Sequence, residues 1–404
     1  MRACRDDSNI SRALDTLVDG GGEVHISRVE RVAQRLMHTV VDAKNNWTDT
    51  VVATGVSILA GEEPDSTGIT WWQGQPAICF YNAQQQRLEA AFRQGDGSWL
   101  RETIVNGDRA GDDCDLGIHQ GQLVVAFNQD GQLRLGTREA TGWQLSTIDQ
   151  VTGRQLGAHV SLATGPGDRI AIAHQDETNV ALRVTWRIGA GSWQSFEVDA
   201  GLTVGHGHDP AAFFQDDGEL RVVHGVEPFG LDSESDTGFL ESRGSLGGGF
   251  TTAVLPPSNT GGYNGAAYGS QGPSVFTRYR LRSALFGKFD SLYLYQDGAG
   301  GLDFTTLEQS GSADQRHTYR YLRASHDPFD LPVLTYADFR ATWFSLPAEN
   351  VLCMYRPRDT DSDRLPDAVE PTYGTDPQVA DTDGDGRSDG EEVLIDGTDP
   401  TVPN

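Results

Sequence analysis

The chain has 404 residues, of which 37% are hydrophobic and 48 are glycine. This is enough apolar material for a packed core in a fold with many turns. Its formal net charge of −27 argues against nucleic acid or an anionic membrane surface as a partner, because their phosphates would repel it. No stretch reaches the roughly 18–20 apolar residues of a membrane-spanning helix.

The first eight residues precede the regular part of the sequence. They begin Met-Arg-Ala-Cys and contain no apolar segment of the kind that defines a signal peptide. Because the C-terminal part of the chain looks extracellular, we interpret residues 1–8 as the remnant of a leader, or as a sign that the true start lies upstream. We expect a secreted or cell-surface protein, and a monomer.

Residues 9–355 contain a repeat of about fifty residues. Each repeat has two apolar runs separated by a polar turn, then a Gly-rich turn, an aromatic residue and a short strand. The aromatic anchors, spaced by 44 to 57 residues, are Trp47, Trp99, Trp143, Trp193, Phe250 and Phe304. This length suits a four-stranded sheet. One such sheet cannot bury both faces alone, so the repeats predict an all-β propeller.

Seven blades fit the length of the repeat region best. The first blade would use Glu23–Val32, Arg35–Val41 and Trp47–Val52. The last blade would use Tyr319–Ala324, Leu331–Ala337, Thr342–Ser345 and Val351–Tyr355. A six-bladed ring whose last blade is completed by N-terminal strands is the first alternative, and a pair of β-sandwiches is the second.

The segment VHISRVERVAQRLMHTVVDAKNNWTDTVV resembles blades of bacterial secreted β-propellers. The resemblance covers most of residues 9–355, and its pattern is loose. It implies the fold and export more than any particular activity.

The aromatic residues have two interpretations. A Trp that recurs once per blade usually packs between adjacent sheets, although a ring of ligand-stacking aromatics would give the same spacing. Trp71 and Trp72 are better candidates for ligand binding. Adjacent residues of a strand face opposite ways, so one of this pair is expected at the surface.

Residues 356–404 form an acidic tail with two loops of EF-hand-like spacing, offset by 22 residues. Oxygen ligands at positions 1, 3, 5, 7, 9 and 12 of such a loop wrap a calcium ion, position 7 through its backbone carbonyl. The first loop offers Asp359, Asp361, Asp363, Leu365, Asp367 and Glu370. The second loop offers Asp381, Asp383, Asp385, Arg387, Asp389 and Glu392. We therefore expect Ca²⁺ as the cofactor.

Each loop is followed by Gly-Thr-Asp-Pro, and the tail as a whole resembles the thrombospondin type 3 repeats of exported bacterial proteins. Position 6 is Gly386 in the second loop but Arg364 in the first. That position takes a sharp turn that favours glycine, so we expect the first site to be weaker. A disordered acidic tail is the alternative.

The four cysteines, Cys4, Cys79, Cys114 and Cys353, lack the spacing of a zinc site. Unpaired thiols are the default expectation, because free cysteine packs well in β-structure. A circular fold would also bring Cys4 near Cys353, and Cys79 and Cys114 come from adjacent blades as the rival pair.

No catalytic motif identifies an active site, so the catalytic residues stay unknown. His206 and His208, with Asp209, could bind a metal but more often form a polar turn. The favoured hypothesis is a calcium-binding, exported module whose propeller binds carbohydrate or protein. The alternative is a hydrolase or lyase acting on glycans at the central funnel, where two carboxylates from different blades would have to converge.

Overall fold

The structure is a computed structural model of the chain. It describes residues 1–404 except 7–9, 31, 57–65, 201–203, 229–237, 246–247, 256–259, 270–271, 284–286, 299–300, 310–314 and 343–344.

The chain folds into a seven-bladed β-propeller. In chain order the strands are β1 (Arg2–Asp6), β2 (Ile10–Val18), β3 (Val24–Glu30), β4 (Arg35–Val41), β5 (Trp47–Thr54), β6 (Thr67–Trp72), β7 (Gln75–Asn82), β8 (Arg87–Arg93), β9 (Trp99–Asn106), β10 (Cys114–His119), β11 (Gln122–Gln129), β12 (Gln132–Glu139), β13 (Gly142–Asp149), β14 (Leu156–Gly165), β15 (Arg169–Asp176), β16 (Ala181–Ile188), β17 (Gln194–Ala200), β18 (Val204–Phe214), β19 (Leu220–Pro228), β20 (Gly238–Ser245), β21 (Gly249–Val254), β22 (Thr260–Gly269), β23 (Gly272–Ser283), β24 (Gly287–Gly298), β25 (Gly301–Gln309), β26 (Gln315–His326), β27 (Pro332–Thr342) and β28 (Ser345–Tyr355). Starting at β2, each successive set of four strands forms one antiparallel blade, up to blade 6.

Blade 7 is closed by the other end of the chain. Its sheet has the order β1-β28-β27-β26, so β1 supplies the outer strand. Residues 2–6, which we had assigned to a leader remnant, therefore pair within the propeller, with Cys4 opposite Cys353. The expected fourth strand Thr342–Ser345 is not a strand of its own, because Thr342 ends β27 and Ser345 begins β28. The seven-blade prediction is confirmed, but its last blade needs the N-terminal strand that we had considered only for six blades.

The hydrophobic core lies between blades. The described buried apolar residues form seven clusters, and each cluster joins two neighbouring blades. Strands next to the innermost one, such as β7, are buried on both faces. The outer strand β9 alternates between exposed and covered residues. This is the burial that a radial stack of sheets requires, because each sheet covers its neighbour.

Several hairpins carry a turn signal that can be read from the sequence. Gln73-Gly74, Gln120-Gly121 and Asp130-Gly131 all have φ between 50° and 77° at both residues. This is the backbone of a type I′ turn, in which glycine fits best at the second position. Such turns hold adjacent strands in register and match their twist.

Both cysteine pairs are disulfide-bonded, Cys4 to Cys353 and Cys79 to Cys114. The default expectation of unpaired thiols is therefore wrong, and the two pairs are not rivals. One bond joins β1 to β28 and closes the ring. The other joins blade 2 to blade 3.

Residues 356–404 follow blade 7 as a loop-rich extension. It contains two short helices, α1 (Glu370–Tyr373) and α2 (Asp389–Glu391), and α2 continues into a π-helical turn over Glu392–Asp396. Among the described residues, no helix has the length and hydrophobicity needed to cross a bilayer.

Candidate functional site

The two acidic loops of the tail bring their carboxylates together. Oxygens of Asp359, Asp361 and Asp363 lie within 4.8 Å of one another. The same holds for the first three acids of the second loop, Asp381, Asp383 and Asp385. At position 12 of each loop, Glu370 and Glu392 are fully buried.

The first position of each loop shapes its backbone in the same way. In the first loop, Asp359 accepts hydrogen bonds from the amides of Ser362 (2.7 Å) and Arg364 (3.2 Å). In the second loop, Asp381 accepts from Gly384 (2.7 Å) and Gly386 (2.9 Å). Two loops with different residues at positions 4 and 6 thus share one turn.

In both loops the aspartate at position 9 binds the threonine at position 2. Asp367 accepts bonds from the amide and the hydroxyl of Thr360, each 2.8 Å long. Asp389 is bonded in the same way to Thr382, at 2.8 and 2.6 Å. Both oxygens of each carboxylate are therefore used to hold the threonine at position 2. The position-7 residues, Leu365 and Arg387, donate their amides to the acid at position 5.

The remaining carboxylate oxygens fit a bound cation. Both side-chain oxygens of Asp361 and of Glu370 are buried without a hydrogen-bond partner, as are Oδ2 of Asp383 and Oε2 of Glu392. Buried polar atoms are nearly always paired, and a hard cation such as Ca²⁺ prefers oxygen ligands of this kind. The residues present therefore suit calcium at positions 3 and 12 of both loops.

Burial raises the carboxyl pKa values of the first loop more than those of the second. It raises the pKa of Asp363 to about 7, and the neighbouring carboxylates Asp361 and Asp359 add to the effect. The pKa of Glu370 is raised to about 7 for the same reasons. In the second loop, burial raises the pKa of Asp383, whereas the pKa of Asp385 is lowered, chiefly by the amide of Asn404. Carboxylates held together in this way repel one another until a cation neutralises them.

The two loops pack directly on each other. Gly390 of the second loop donates its amide to Oδ2 of Asp363 (3.0 Å), and the hydroxyl of Ser388 reaches the Asp363 carbonyl (3.4 Å). Asp363 thus belongs to one candidate metal site and contacts the backbone that builds the other. The spacing of the loops did not reveal this contact.

The tail rests on the propeller face that carries the β2–β3 and β4–β5 turns. The guanidinium of Arg356 donates to the carbonyl oxygens of Asp42 (3.1 Å) and Ala43. The ring of Tyr373 meets that of Phe329, with centroids 6.3 Å apart. Between blade 1 and the acidic loops lies a polar cleft of about 500 Å³.

The aromatic anchors that the structure describes are partly buried and pack against the core clusters. Trp99 and Trp143 each pack against the cluster between their own blade and the preceding one. Trp47, Trp193 and Phe250 are placed in the same way. The side chain of Phe304 lies outside the described residues. All five pack between neighbouring blades, as the core interpretation of the repeat predicts.

Trp71 and Trp72 face opposite ways at the end of β6. Trp72 packs against the core between blades 2 and 3. Trp71 is 36% exposed and meets the ring of His25 edge-on, with centroids 5.4 Å apart. Trp71 is therefore the member of the pair that a ligand can reach.

The central channel contains two carboxyls that no sequence motif marks. Asp15 of blade 1 and Asp115 of blade 3 line a cavity of about 190 Å³ together with Arg323 of blade 7. Burial raises the pKa of Asp15 to about 6. Burial, and then the charge of Asp15, raise the pKa of Asp115 to about 7. Only the ring geometry brings these residues together, since they are far apart in the chain.

Each channel carboxyl also links two blades. Asp15 accepts the amide of Ile69 in blade 2 (2.8 Å), and Asp115 accepts that of Leu162 in blade 4 (2.7 Å). The hydroxyl of Ser161 accepts the amide of Ala212 in blade 5 (3.0 Å). The inner strands of neighbouring blades are therefore tied by side chains at equivalent positions.

His174 and His224, at similar places in neighbouring blades, have structural partners. His174 bonds Thr185 (3.2 Å) and lies 3.5 Å from Asp149, while His224 in the next blade lies 3.8 Å from Asp199. The side chains of His206 and His208 lie outside the described residues.

Comparison with known proteins identifies the tail more specifically than the propeller. Residues 381–403 match the family described as Bacterial TSP3 repeat, so the tail contains a bacterial TSP3 repeat. No curated protein sequence matches the chain significantly.

Solved structures similar to the chain share its fold at low identity. The polysaccharide lyase Uly1 is 10% identical with a TM-score of 0.53, and the match covers 87% of this chain and 90% of the lyase. An ulvan lyase with a bound saccharide is 8% identical with a TM-score of 0.61, covering 88% and 96%. Hydrazine synthase from Kuenenia stuttgartiensis is 12% identical with a TM-score of 0.50, covering 83% and 94%. At these identities the likeness extends to the propeller fold alone.

Proposed function

We propose that this chain is an exported calcium-binding protein whose propeller binds carbohydrate. The observation that carries the calcium assignment is the pair of loops with one backbone network and buried carboxylate oxygens that lack partners. Export is supported by the two disulfides, which form and persist in oxidising compartments.

Calorimetric titration of the full chain with Ca²⁺ tests the assignment. We expect two ions per chain, with Kd on the order of 10⁻⁴–10⁻³ M as in other extracellular modules. Glu392→Gln should remove one ion and Glu370→Gln the other. Asp376→Asn, outside both loops, is the matched control and should bind two. A stoichiometry that is the same in all four proteins would contradict the proposal.

The proposed carbohydrate surface is centred on Trp71. Its partly exposed ring meets the imidazole of His25 edge-on, and His25 in turn lies close to Asp19 and Glu23. An aromatic face with polar groups nearby suits a sugar ring and its hydroxyls. The similar structures include two polysaccharide lyases, which adds weight to a saccharide over a protein ligand.

Binding of the full chain to an array of acidic and neutral polysaccharides tests this surface. Trp71→Ala should abolish retention of the bound glycan while leaving the melting temperature unchanged. Leu100→Ala is the matched control, because Leu100 is an exposed apolar side chain (51%) on the outer strand of blade 2. If the two variants bind alike, Trp71 is not the contact residue.

A second candidate function, cleavage of a glycan at the central channel, is favoured by the carboxyl pair Asp15 and Asp115. A carboxyl whose pKa is raised to near neutrality can serve as a general acid at pH 7. Incubation with the glycans that bind, followed by assays for reducing ends and for unsaturated uronates, separates hydrolase from lyase. Product that forms in the native protein but not in Asp115→Asn would establish the enzyme. Binding without product would leave the propeller a binding module.

A further inference from the structure

We propose a transition-metal site on blade 1, formed by Asp19, Glu23 and His25 and separate from the calcium loops. One ligand atom from each of these three side chains lies within 4.8 Å of the other two. A tetrahedral Zn²⁺ or Co²⁺ ion with bonds of about 2.0–2.2 Å holds neighbouring ligand atoms roughly 3.3–3.6 Å apart, and Oδ2 of Asp19 lies 3.4 Å from Nε2 of His25.

The β2–β3 turn fixes the orientation of the Asp19 carboxylate. Asp19 follows β2, and its Oδ1 accepts the amides of Gly21 and Glu23, each at 2.9 Å. The backbone of Asp19 also bonds the carbonyl of Glu23 (3.0 Å). With Oδ1 used in this way, Oδ2 faces Nε2 of His25 at 3.4 Å.

A second histidine, His38, holds the ring of His25 in place through its Nδ1 atom. The side chain of His25 is only 4% exposed. Its Nδ1 lies 3.0 Å from Nε2 of His38, which is fully buried, and the two rings stack at 5.2 Å. A hydrogen bond at Nδ1 leaves Nε2 facing the Asp19 carboxylate, and nearly every metal-ligating histidine has a hydrogen bond at its second ring nitrogen.

The ligand set indicates the class of ion. In the described part of the chain, neither Asp19 nor Glu23 forms an ion pair with an arginine or lysine. The imidazole of His25 is the neighbour that the two carboxylates have in common. One nitrogen and two oxygens suit Zn²⁺, Co²⁺ or Mn²⁺ better than Ca²⁺, which takes oxygen ligands. Glu23 also lines the cleft of about 500 Å³ beside the tail, which gives ions and water a path to the site.

The competing arrangement contains no metal. His38 would then donate to His25, and His25 to Asp19, as a chain of hydrogen bonds that only holds the turn. The two arrangements differ in Glu23, which the chain of hydrogen bonds does not need and the metal site does.

Titration of the full chain with Co²⁺ in excess Ca²⁺, so that the calcium loops are occupied, distinguishes them. We expect one Co²⁺ per chain, visible as d–d absorption bands, together with quenching of the fluorescence of Trp71, whose ring contacts His25. His25→Ala and Glu23→Gln should each lower the Co²⁺ affinity by on the order of 100-fold, and His38→Gln by about 10–100-fold. Trp71→Phe should bind Co²⁺ normally but lose the quenching.

Asp376→Asn, which lies outside both calcium loops and outside blade 1, is the matched control and should bind Co²⁺ like the native chain. Unchanged Ca²⁺ uptake by His25→Ala verifies that this variant is folded, and Glu23→Gln repeats the test at a partly exposed residue. Absence of the absorption bands, or bands that persist in both variants, would overturn the metal site in favour of the hydrogen-bonded chain.

Discussion

At the scale of single residues, the two calcium loops differ most at positions 4 and 6. Ser362 and Arg364 occupy them in the first loop with φ of 64° and 90°, whereas Gly384 and Gly386 do so in the second. Positive φ is unstrained for glycine and unfavourable for other residues. The identical turn therefore carries a backbone penalty only in the first loop.

We expect Arg364→Gly to tighten Ca²⁺ binding at the first loop by about fivefold, which corresponds to roughly 1 kcal/mol of relieved backbone strain. Calorimetry in a Glu392→Gln background, where only the first loop binds, measures the change. Arg364→Gln is the control, because it removes the charge but keeps the side chain. If glutamine tightens binding as much as glycine does, charge and not backbone strain limits the first site.

A second residue-scale prediction concerns the pH dependence of stability at Asp115. Its pKa of about 7 in the folded protein lies above the ordinary 3.8, so the folded state holds this proton more tightly than the unfolded state. The stability that the proton provides is lost as the pH rises from about 4 to about 7.

From pH 4 to pH 8, the native chain should therefore lose about 2–4 kcal/mol of unfolding free energy relative to Asp115→Asn, which has no proton to lose at this position. Urea titrations at both pH values measure it. Ser161→Ala removes an equivalent link between blades but no titrating group, so its effect should be the same at both pH values. A parallel pH dependence of Asp115→Asn and the native chain would show that Asp115 titrates normally.

At the scale of elements, the contact between the two acidic loops joins them into one unit. A Cβ on Gly390 would collide with the carbonyl oxygen of Asp363, and the Gly390 amide bonds the Asp363 side chain. The position of Asp363 in the first loop is therefore tied to the backbone of Gly390 in the second.

We expect Gly390→Ala to weaken Ca²⁺ binding at the first loop as well as at its own, by about tenfold or more, because Asp363 must move. Two-site calorimetry follows both ions. Gly95→Ala, in the β8–β9 turn of the propeller, is the control, since a Cβ there meets nothing within 4 Å. Weakening confined to the second loop would mean that the loops bind independently.

At the scale of the whole molecule, the ring depends on its closure. β1 pairs with β28 through five residues, and Cys4 is bonded to Cys353 across 349 residues of sequence. The Cys79–Cys114 bond spans 35 residues. In the entropic account, a bond that closes a longer loop restricts the unfolded chain more.

Replacing Cys4 and Cys353 by serine should lower the free energy of unfolding by roughly 6 kcal/mol, against roughly 4 kcal/mol for the pair Cys79 and Cys114. Denaturant titration of both double variants compares them, and peptide mapping of the unreduced native protein verifies the pairing. Free thiol at Cys4 or Cys353 in the native protein would contradict the closure.

The sequence alone determined the features that repeat along it. The aromatic anchors at steps of about fifty residues predict the propeller, because a blade is a local unit of four consecutive strands. The calcium loops are predicted by the spacing of their ligands within 12 residues. The same spacing shows that position 6 of the first loop is Arg364, where the second loop has glycine. Even the positive φ at position 4 could have been inferred from Gly384 in the second loop.

Only the tertiary structure decided what depends on residues distant in sequence. The pairing of β1 with blade 7, the meeting of Asp15, Asp115 and Arg323 in the channel, and the contact of Gly390 with Asp363 carry no local pattern. Each arises because ring closure or tail packing brings together segments whose spacing in the chain is unrelated to their spacing in space. The exposure of Trp71 and the core position of Trp72 likewise depend on which face of β6 the neighbouring blade covers.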